Sequence, residues 1–132
     1  MADMMQFDLV SPERMLASFE ASEIEIPGAE GDFTAMPDHA ALMTVLRPGI
    51  LKVKAASETH EYVVSGGFVE VSATATSVLA EKAMPKGDVT REILDGLIAE
   101  AEAGTEGAVD GALDAANKRV ADTKSLGEAL GL

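Results

Sequence analysis

Residues 84–88 read Met-Pro-Lys-Gly-Asp, and the chain changes character across them. Upstream, β-branched and aromatic residues come in short bursts broken by glycine and proline. Downstream, Ala, Glu, Asp and Leu dominate, and Pro, Phe and Tyr do not occur. Proline removes a backbone donor and glycine relaxes the backbone, so Pro85 and Gly87 together end regular structure on both sides. The break predicts two domains of different class, 1–86 and 87–132. A length of 132 residues suits one domain with a small appendage.

The first part reads as all-β. Phe7-Asp8-Leu9-Val10 is a short strand stopped by Ser11-Pro12. Glu23-Ile24-Glu25-Ile26 alternates polar and apolar, and Pro27-Gly28 ends it. After the turn signal Arg47-Pro48-Gly49, Leu51, Val53 and Ala55 face one way and Lys52 and Lys54 the other. His60 to Ser65, Phe68 to Val71 and Ser77 to Ala80 complete the pattern. Short strands at close spacing, joined by turns, predict a sandwich or barrel. Its expected core is Ile24, Ile26, Leu51, Val53, Val64, Val69, Val71 and Leu79.

The second part reads as two helices. Asp88 is placed to cap the first, whose apolar stripe is Val89, Ile93, Leu97 and Ala101. Gly104 is a natural stop, and Thr105 is placed to cap a second helix with the stripe Val109, Leu113, Ala116 and Val120. The tail Ser-Leu-Gly-Glu-Ala-Leu-Gly-Leu reads as frayed. So short a joint predicts an antiparallel hairpin. Its stripes are narrow, and Gly96, Gly107 and Gly111 each weaken a helix by about 1 kcal/mol relative to Ala.

Charge and composition exclude several functions. With 23 acids against 10 bases the net charge is −13, so the chain is expected not to bind nucleic acid or anionic lipid, which recruit clustered Lys and Arg. Without cysteine there is no disulfide framework and no thiolate chemistry. The start, Met-Ala-Asp-Met-Met-Gln-Phe-Asp-Leu-Val, lacks the basic region and long apolar run of a signal peptide. No apolar stretch reaches the ~20 residues that span a bilayer, so no direct membrane insertion is expected.

Motif by motif, catalysis finds little support. Gly66-Gly67 precedes Phe-Val-Glu-Val, a strand, whereas a phosphate cradle needs a helix N-terminus. The stretch 27–42, PGAEGDFTAMPDHAAL, gathers loop residues and acids around His39. Glu30, Asp32, Asp38 and His39 lack the spacing of an established metal motif. His60, beside Glu58 and Glu61, reads as an edge position. A binding or structural subunit is the reading these residues support. The competing reading is a free-standing β-sandwich metal protein or enzyme using Asp32, Asp38 and His39.

Residues 26–53, IPGAEGDFTAMPDHAALMTVLRPGILKV, and 61–83, EYVVSGGFVEVSATATSVLAEKA, together resemble the epsilon subunit of bacterial F-type ATP synthase. The family pattern is Pro-Gly-x-Glu-Gly-acid-x-Gly, then Pro-Gly-His-Ala-Pro-Leu, a Leu-(Lys/Arg)-Pro-Gly turn, and Ser-Gly-Gly-(Phe/Ile)-(Leu/Val)-Glu-Val with Val-Leu-Ala-(Asp/Glu). Its order holds here over most of residues 7–85. The resemblance implies a flattened β-sandwich of about ten short strands followed by a helical hairpin. It implies a non-catalytic rotor subunit without cofactors, bound to the gamma subunit and the c-ring near the alpha/beta hexamer, on the cytoplasmic face of the bacterial inner membrane. By position, Glu30, Gly31 and Asp32 fall to the c-ring contact, and Ser11, His39 and Thr44 to the gamma contact.

The chain departs from that pattern at Thr34, at Asp38, which replaces a glycine, and at Ala41, which replaces a proline. In the hairpin, many family members carry Ile/Leu-Asp-x-x-Arg-Ala, which helps bind ATP. Here the run is Leu94-Asp95-Gly96-Leu97-Ile98-Ala99, so Ile98 stands where the arginine belongs. Inhibitory members carry a basic second helix. Residues 88–132 hold 10 acids and 4 bases, a net of −6. The resemblance therefore implies a subunit with little inhibitory or ATP-sensing activity.

Overall fold

The computed structural model describes residues 4–132 and divides into two compact units between Lys86 and Gly87. The first holds ten strands: β1 Met5–Val10, β2 Met15–Ala21, β3 Glu23–Ile26, β4 Phe33–Ala35, β5 Leu42–Leu46, β6 Gly49–Lys54, β7 Thr59–Val64, β8 Gly67–Val71, β9 Ala75–Ala80 and β10 Ala83–Pro85. They form two five-stranded sheets. Sheet A runs β2-β1-β9-β8-β5 and sheet B runs β10-β7-β6-β3-β4. All pairs are antiparallel except β1 with β9.

Alternation carries the core. Phe7 and Leu9 point inward from β1, Ile24 and Ile26 from β3, Leu51 and Val53 from β6, Val69 and Val71 from β8, and Val78 from β9. Each is essentially sealed from solvent, and full burial of such a side chain contributes about 1.5–3 kcal/mol. Seven of the eight residues expected in the core lie there. Leu79 does not: it is 55% exposed, while Val78 beside it is fully buried. Four strands went unread, β2, β4, β5 and β10. They are edge or near-edge segments whose pairing comes from distant partners, such as Phe7 opposite Phe19 and Leu42 opposite Val71.

The glycine pair serves backbone packing. Gly67 opens β8 at φ 132°, and a Cβ there would stand 2.1 Å from the Leu79 carbonyl oxygen. No other residue fits so close an approach of two strands.

The second unit, taken by itself, is two helices that pack on each other, α1 Arg91–Ala103 and α2 Asp110–Ala129. Thr90, not Asp88, caps α1 by accepting from the Ile93 N–H at 3.2 Å. Gly104 ends α1 in an ordinary right-handed conformation. Thr105 belongs to that ending, with its hydroxyl donating to the Glu102 carbonyl at 2.7 Å. The connection runs on through Gly107, at φ 73°, so the N-cap of α2 is Val109, four residues later than Thr105 predicted.

The seam also moves. Leu94, Leu97 and Ala101 are buried on α1, and Ile93 is exposed. On α2 the buried residues are Thr123, Leu126 and Gly127, in the tail read as frayed, and Val109 is exposed. A Cβ at Gly127 would come within 2.7 Å of Leu94 Cδ2, so the missing side chain lets α2 approach. Contact between the start of α1 and the end of α2 makes the hairpin antiparallel.

Candidate docking surfaces

The loop between β3 and β4 is stiff for identifiable reasons. The Gly28 N–H donates to Ile26 at 3.0 Å, Ala29 to Val45 at 2.9 Å, and Gly31 to Gly28 at 3.1 Å. A Cβ on Gly28 would meet the Gly31 carbonyl oxygen at 2.5 Å, and one on Gly49 would meet Pro27 at 2.6 Å. Glu30, Gly31 and Asp32 sit at the exposed tip. Asp32 is engaged: its Oδ1 accepts from Arg47 Nη2 at 2.5 Å. The sequence showed Arg47 only as part of a turn signal.

Asp38 and His39 stand in the connection to β5. Asp38 adopts φ 68°, the left-handed region where glycine is at ease and aspartate is tolerated, which accounts for the family's glycine there. Its N–H donates to Ala73 at 2.8 Å. The His39 ring has Nδ1 2.6 Å from the Ala40 carbonyl oxygen and lies 6.4 Å from the Phe33 ring. Among the described residues no three His, Asp or Glu side chains gather as a metal site. Asp32, Asp38 and His39 are not brought together as one.

Ser11 and Thr44 lie at opposite sides of sheet A. Ser11 turns the chain after β1, its N–H donating to Arg14 at 2.9 Å. Thr44 pairs with Val69 and shares the inward face of the sheet, while its neighbours Met43 and Val45 face out.

Val45 belongs to a feature the sequence did not disclose. Register sets Met15 against Val10, Val10 against Leu79, Leu79 against Phe68, and Phe68 against Val45. The five form one row across the outer face of sheet A, about 19 Å long at ~4.8 Å per strand. Met15, Leu79, Phe68 and Val45 are 57%, 55%, 55% and 48% exposed. Between Val10, Pro12, Phe68 and Leu79 the surface is hollowed by a cavity of about 300 Å³, which Ser11 also lines. The next row on that face is polar from Ser18 through Asp8 and Ser77 to Glu70 and ends in Met43. Asp8 Oδ1 accepts from Ser18 at 2.6 Å and from Gln6 at 3.0 Å. These bonds, Ser18 first, hold the Asp8 carboxyl below its ordinary pKa, against partial desolvation.

Residues 4–86 match the ATP synthase, Delta/Epsilon chain, beta-sandwich domain. The chain belongs to the ATP synthase delta/epsilon family. An ATP synthase epsilon chain of Ruegeria sp. (strain TM1040) is 53% identical over 137 aligned residues, covering 100% of both chains. One from Rhodobacter capsulatus is 50% identical over 132 residues, again covering 100% of both. Among solved structures, a chain of the Euglena gracilis mitochondrial ATP synthase OSCP/F1/c-ring assembly superposes with TM-score 0.72 at 22% identity, over 96% of this chain and 81% of that one. A chain of the Tetrahymena thermophila mitochondrial central stalk and c-ring gives 0.67 at 22% identity, over 96% of each. At that identity the likeness concerns the fold: ten strands, then two helices. Family membership makes the chain a central-stalk subunit of ATP synthase rather than a catalytic one.

Proposed function

We propose that the chain links the gamma subunit to the c-ring and helps couple proton flow to ATP synthesis, from the cytoplasmic face of the bacterial inner membrane. In this reading residues 1–86 are the docking domain and residues 87–132 an auxiliary one. The acidic loop, with Glu30, Gly31 and Asp32, faces the polar loops of the ring. Gamma seats on the sheet A side, with Ser11 lining the hollow of its outer face. His39 and Thr44 belong to the same contact from its edge, Thr44 lying on the inward side of the edge strand β5. The observation that carries the reading is the exposed apolar row from Met15 to Val45. An apolar stripe of this length facing water marks an interaction surface, and a stalk subunit has gamma as its neighbour. Family membership and the stiff loop support the ring contact, because a pre-ordered loop loses less entropy on docking.

The hairpin is read as a weak inhibitor and a weak ATP binder. Ile98 offers no guanidinium to a phosphate. Asp95 pairs with Arg91 at 3.3 Å. The net charge of −6 over residues 88–132 repels an acidic target. Gly104 and Gly107 interrupt the helix an extended arm would need.

Cysteine cross-linking in assembled membranes tests the placement. Phe68→Cys should link to gamma and Glu30→Cys to the ring's polar loop. No link from Phe68→Cys, with gamma links forming from sheet B instead, sinks the gamma assignment. Deleting residues 88–132 should leave ATP hydrolysis nearly unchanged. A several-fold rise, or tight ATP binding by the isolated subunit, overturns the regulatory reading.

A further inference from the structure

Both ends of the acidic loop meet at one residue. The backbone N–H of Arg47 donates to the Pro27 carbonyl at 3.0 Å, where the loop begins. Its guanidinium Nη2 donates to Asp32 at 2.5 Å, where the loop ends. Nη1 reaches the Pro48 carbonyl at 3.4 Å, steadying the side chain. Glu30 makes no hydrogen bond or ion pair among the described residues.

We infer that Arg47 is a positioning residue that staples the 27–32 loop at both ends, and that Asp32 is held in that staple, leaving Glu30 as the loop's outward-facing carboxylate. The inference rests on the reading of the loop as the ring-facing foot and divides its acids between two roles. The guanidinium is 28% exposed and Asp32 66% exposed, so the ion pair alone is a weak bond. Its leverage comes from the backbone bond on the same residue. With the Arg47 main chain tied to Pro27, closing the pair orders a side chain and the loop end together. Gly31, at φ 141°, makes the bend that brings Asp32 back.

Two measurements test this and separate it from the ring reading. In the isolated full-length subunit, hydrogen exchange at the Gly31 amide reports loop order without any partner. Arg47→Gln should speed that exchange about two- to five-fold, the range an exposed ion pair supports, with the global unfolding midpoint unmoved. Arg47→Lys should restore part of the protection, and the exchanged pair Arg47→Asp with Asp32→Arg most of it. Salt at about 1 M should speed exchange in the native chain and leave Arg47→Gln unaltered, because the charges are screened. Equal exchange in Arg47→Gln and the native chain at low salt overturns the staple. In assembled membranes, Arg47→Gln and Asp32→Asn should each lower the ring cross-link formed from Glu30→Cys. If Glu30→Cys forms no such link in an otherwise native chain, the ring reading fails and the exchange result stands alone. If it links equally well with and without Arg47, the positioning role is overturned.

Discussion

Across sheet A the outward row is Met15, Val10, Leu79, Phe68 and Val45. Across sheet B the matching row is Thr34, Glu25, Lys52 and Glu61. Lys86 extends it, with Nζ 3.3 Å from Glu61. The second row alternates in sign, with Lys52 4.0 Å from Glu25, and Lys54 meets Glu23 at 2.9 Å one row away. Both rows cross their strands at right angles and rest on the same buried core. The charges of sheet B find partners within the chain and are content in water, where each pair contributes little. The apolar row of sheet A gains nothing from water and gains from being covered. The charged face satisfies itself within the chain, and the apolar face is the one left with surface to bury, which is why the proposed gamma contact is placed there.

The largest test of that contrast concerns inside against outside. Leu51→Ala, which empties a sealed site, should lower the stability of the isolated subunit by ~2–5 kcal/mol in denaturant unfolding. Leu79→Ala, one sheet away but facing out, should cost less than about 1 kcal/mol. Equal losses would mean that Leu79 is covered in the free subunit.

Association with gamma should reverse the ranking. Leu79→Glu or Phe68→Glu should weaken it at least tenfold, about 1.4 kcal/mol, without unfolding the chain. Lys52→Glu on sheet B should change it less than twofold. A titration of isolated gamma with each variant checks this, and a larger loss from Lys52→Glu would reassign the docking face.

Acid sensitivity separates the faces more gently. Because hydrogen bonds lower the folded-state value of Asp8, its carboxylate stabilises the fold above its ordinary value of 3.8, and that contribution is lost as pH falls through the lowered value. The effect is under about 1 kcal/mol after solvent screening. Asp8→Asn should flatten the acid limb of the stability–pH curve. An unchanged limb would mean the Ser18 and Gln6 bonds do not persist in solution. Smallest of all, Lys86→Gln should cost 0–1 kcal/mol, and the loss should vanish at high salt. A salt-independent loss would point to packing by the lysine stem.

Some of this could be read from local chemistry. Glu23-Ile24-Glu25-Ile26 alternates, so its faces are unambiguous, and Pro27-Gly28 ends it, as Arg47-Pro48-Gly49 marks the turn into β6. Ser77-Val78-Leu79-Ala80 has three apolar residues in succession, and alternation cannot say which of them looks inward. Leu79 faces out because it is paired with Phe68 and Val10, which lie far from it in the chain. Met15–Ala21, with its two alanines, a leucine and a glutamate, has little intrinsic strand signal. Pairing along β1 makes it one, since strand formation depends on neighbours more than on the residue itself.

Local chemistry is enough for the change of class at residues 84–88, the inward faces of the alternating strands, the helical second half and the family. Those follow from periodicity, punctuation and motif order, which are local and survive without any partner strand. Tertiary pairing aligns five apolar side chains from five strands into one exposed row. Tertiary contact also makes Arg47 take Asp32 and leave Glu30 facing outward, and Gly127, which weakens its own helix, lets α2 close on Leu94. Each of these is a contact between distant segments, set by register and close approach, and a one-residue slip would erase it.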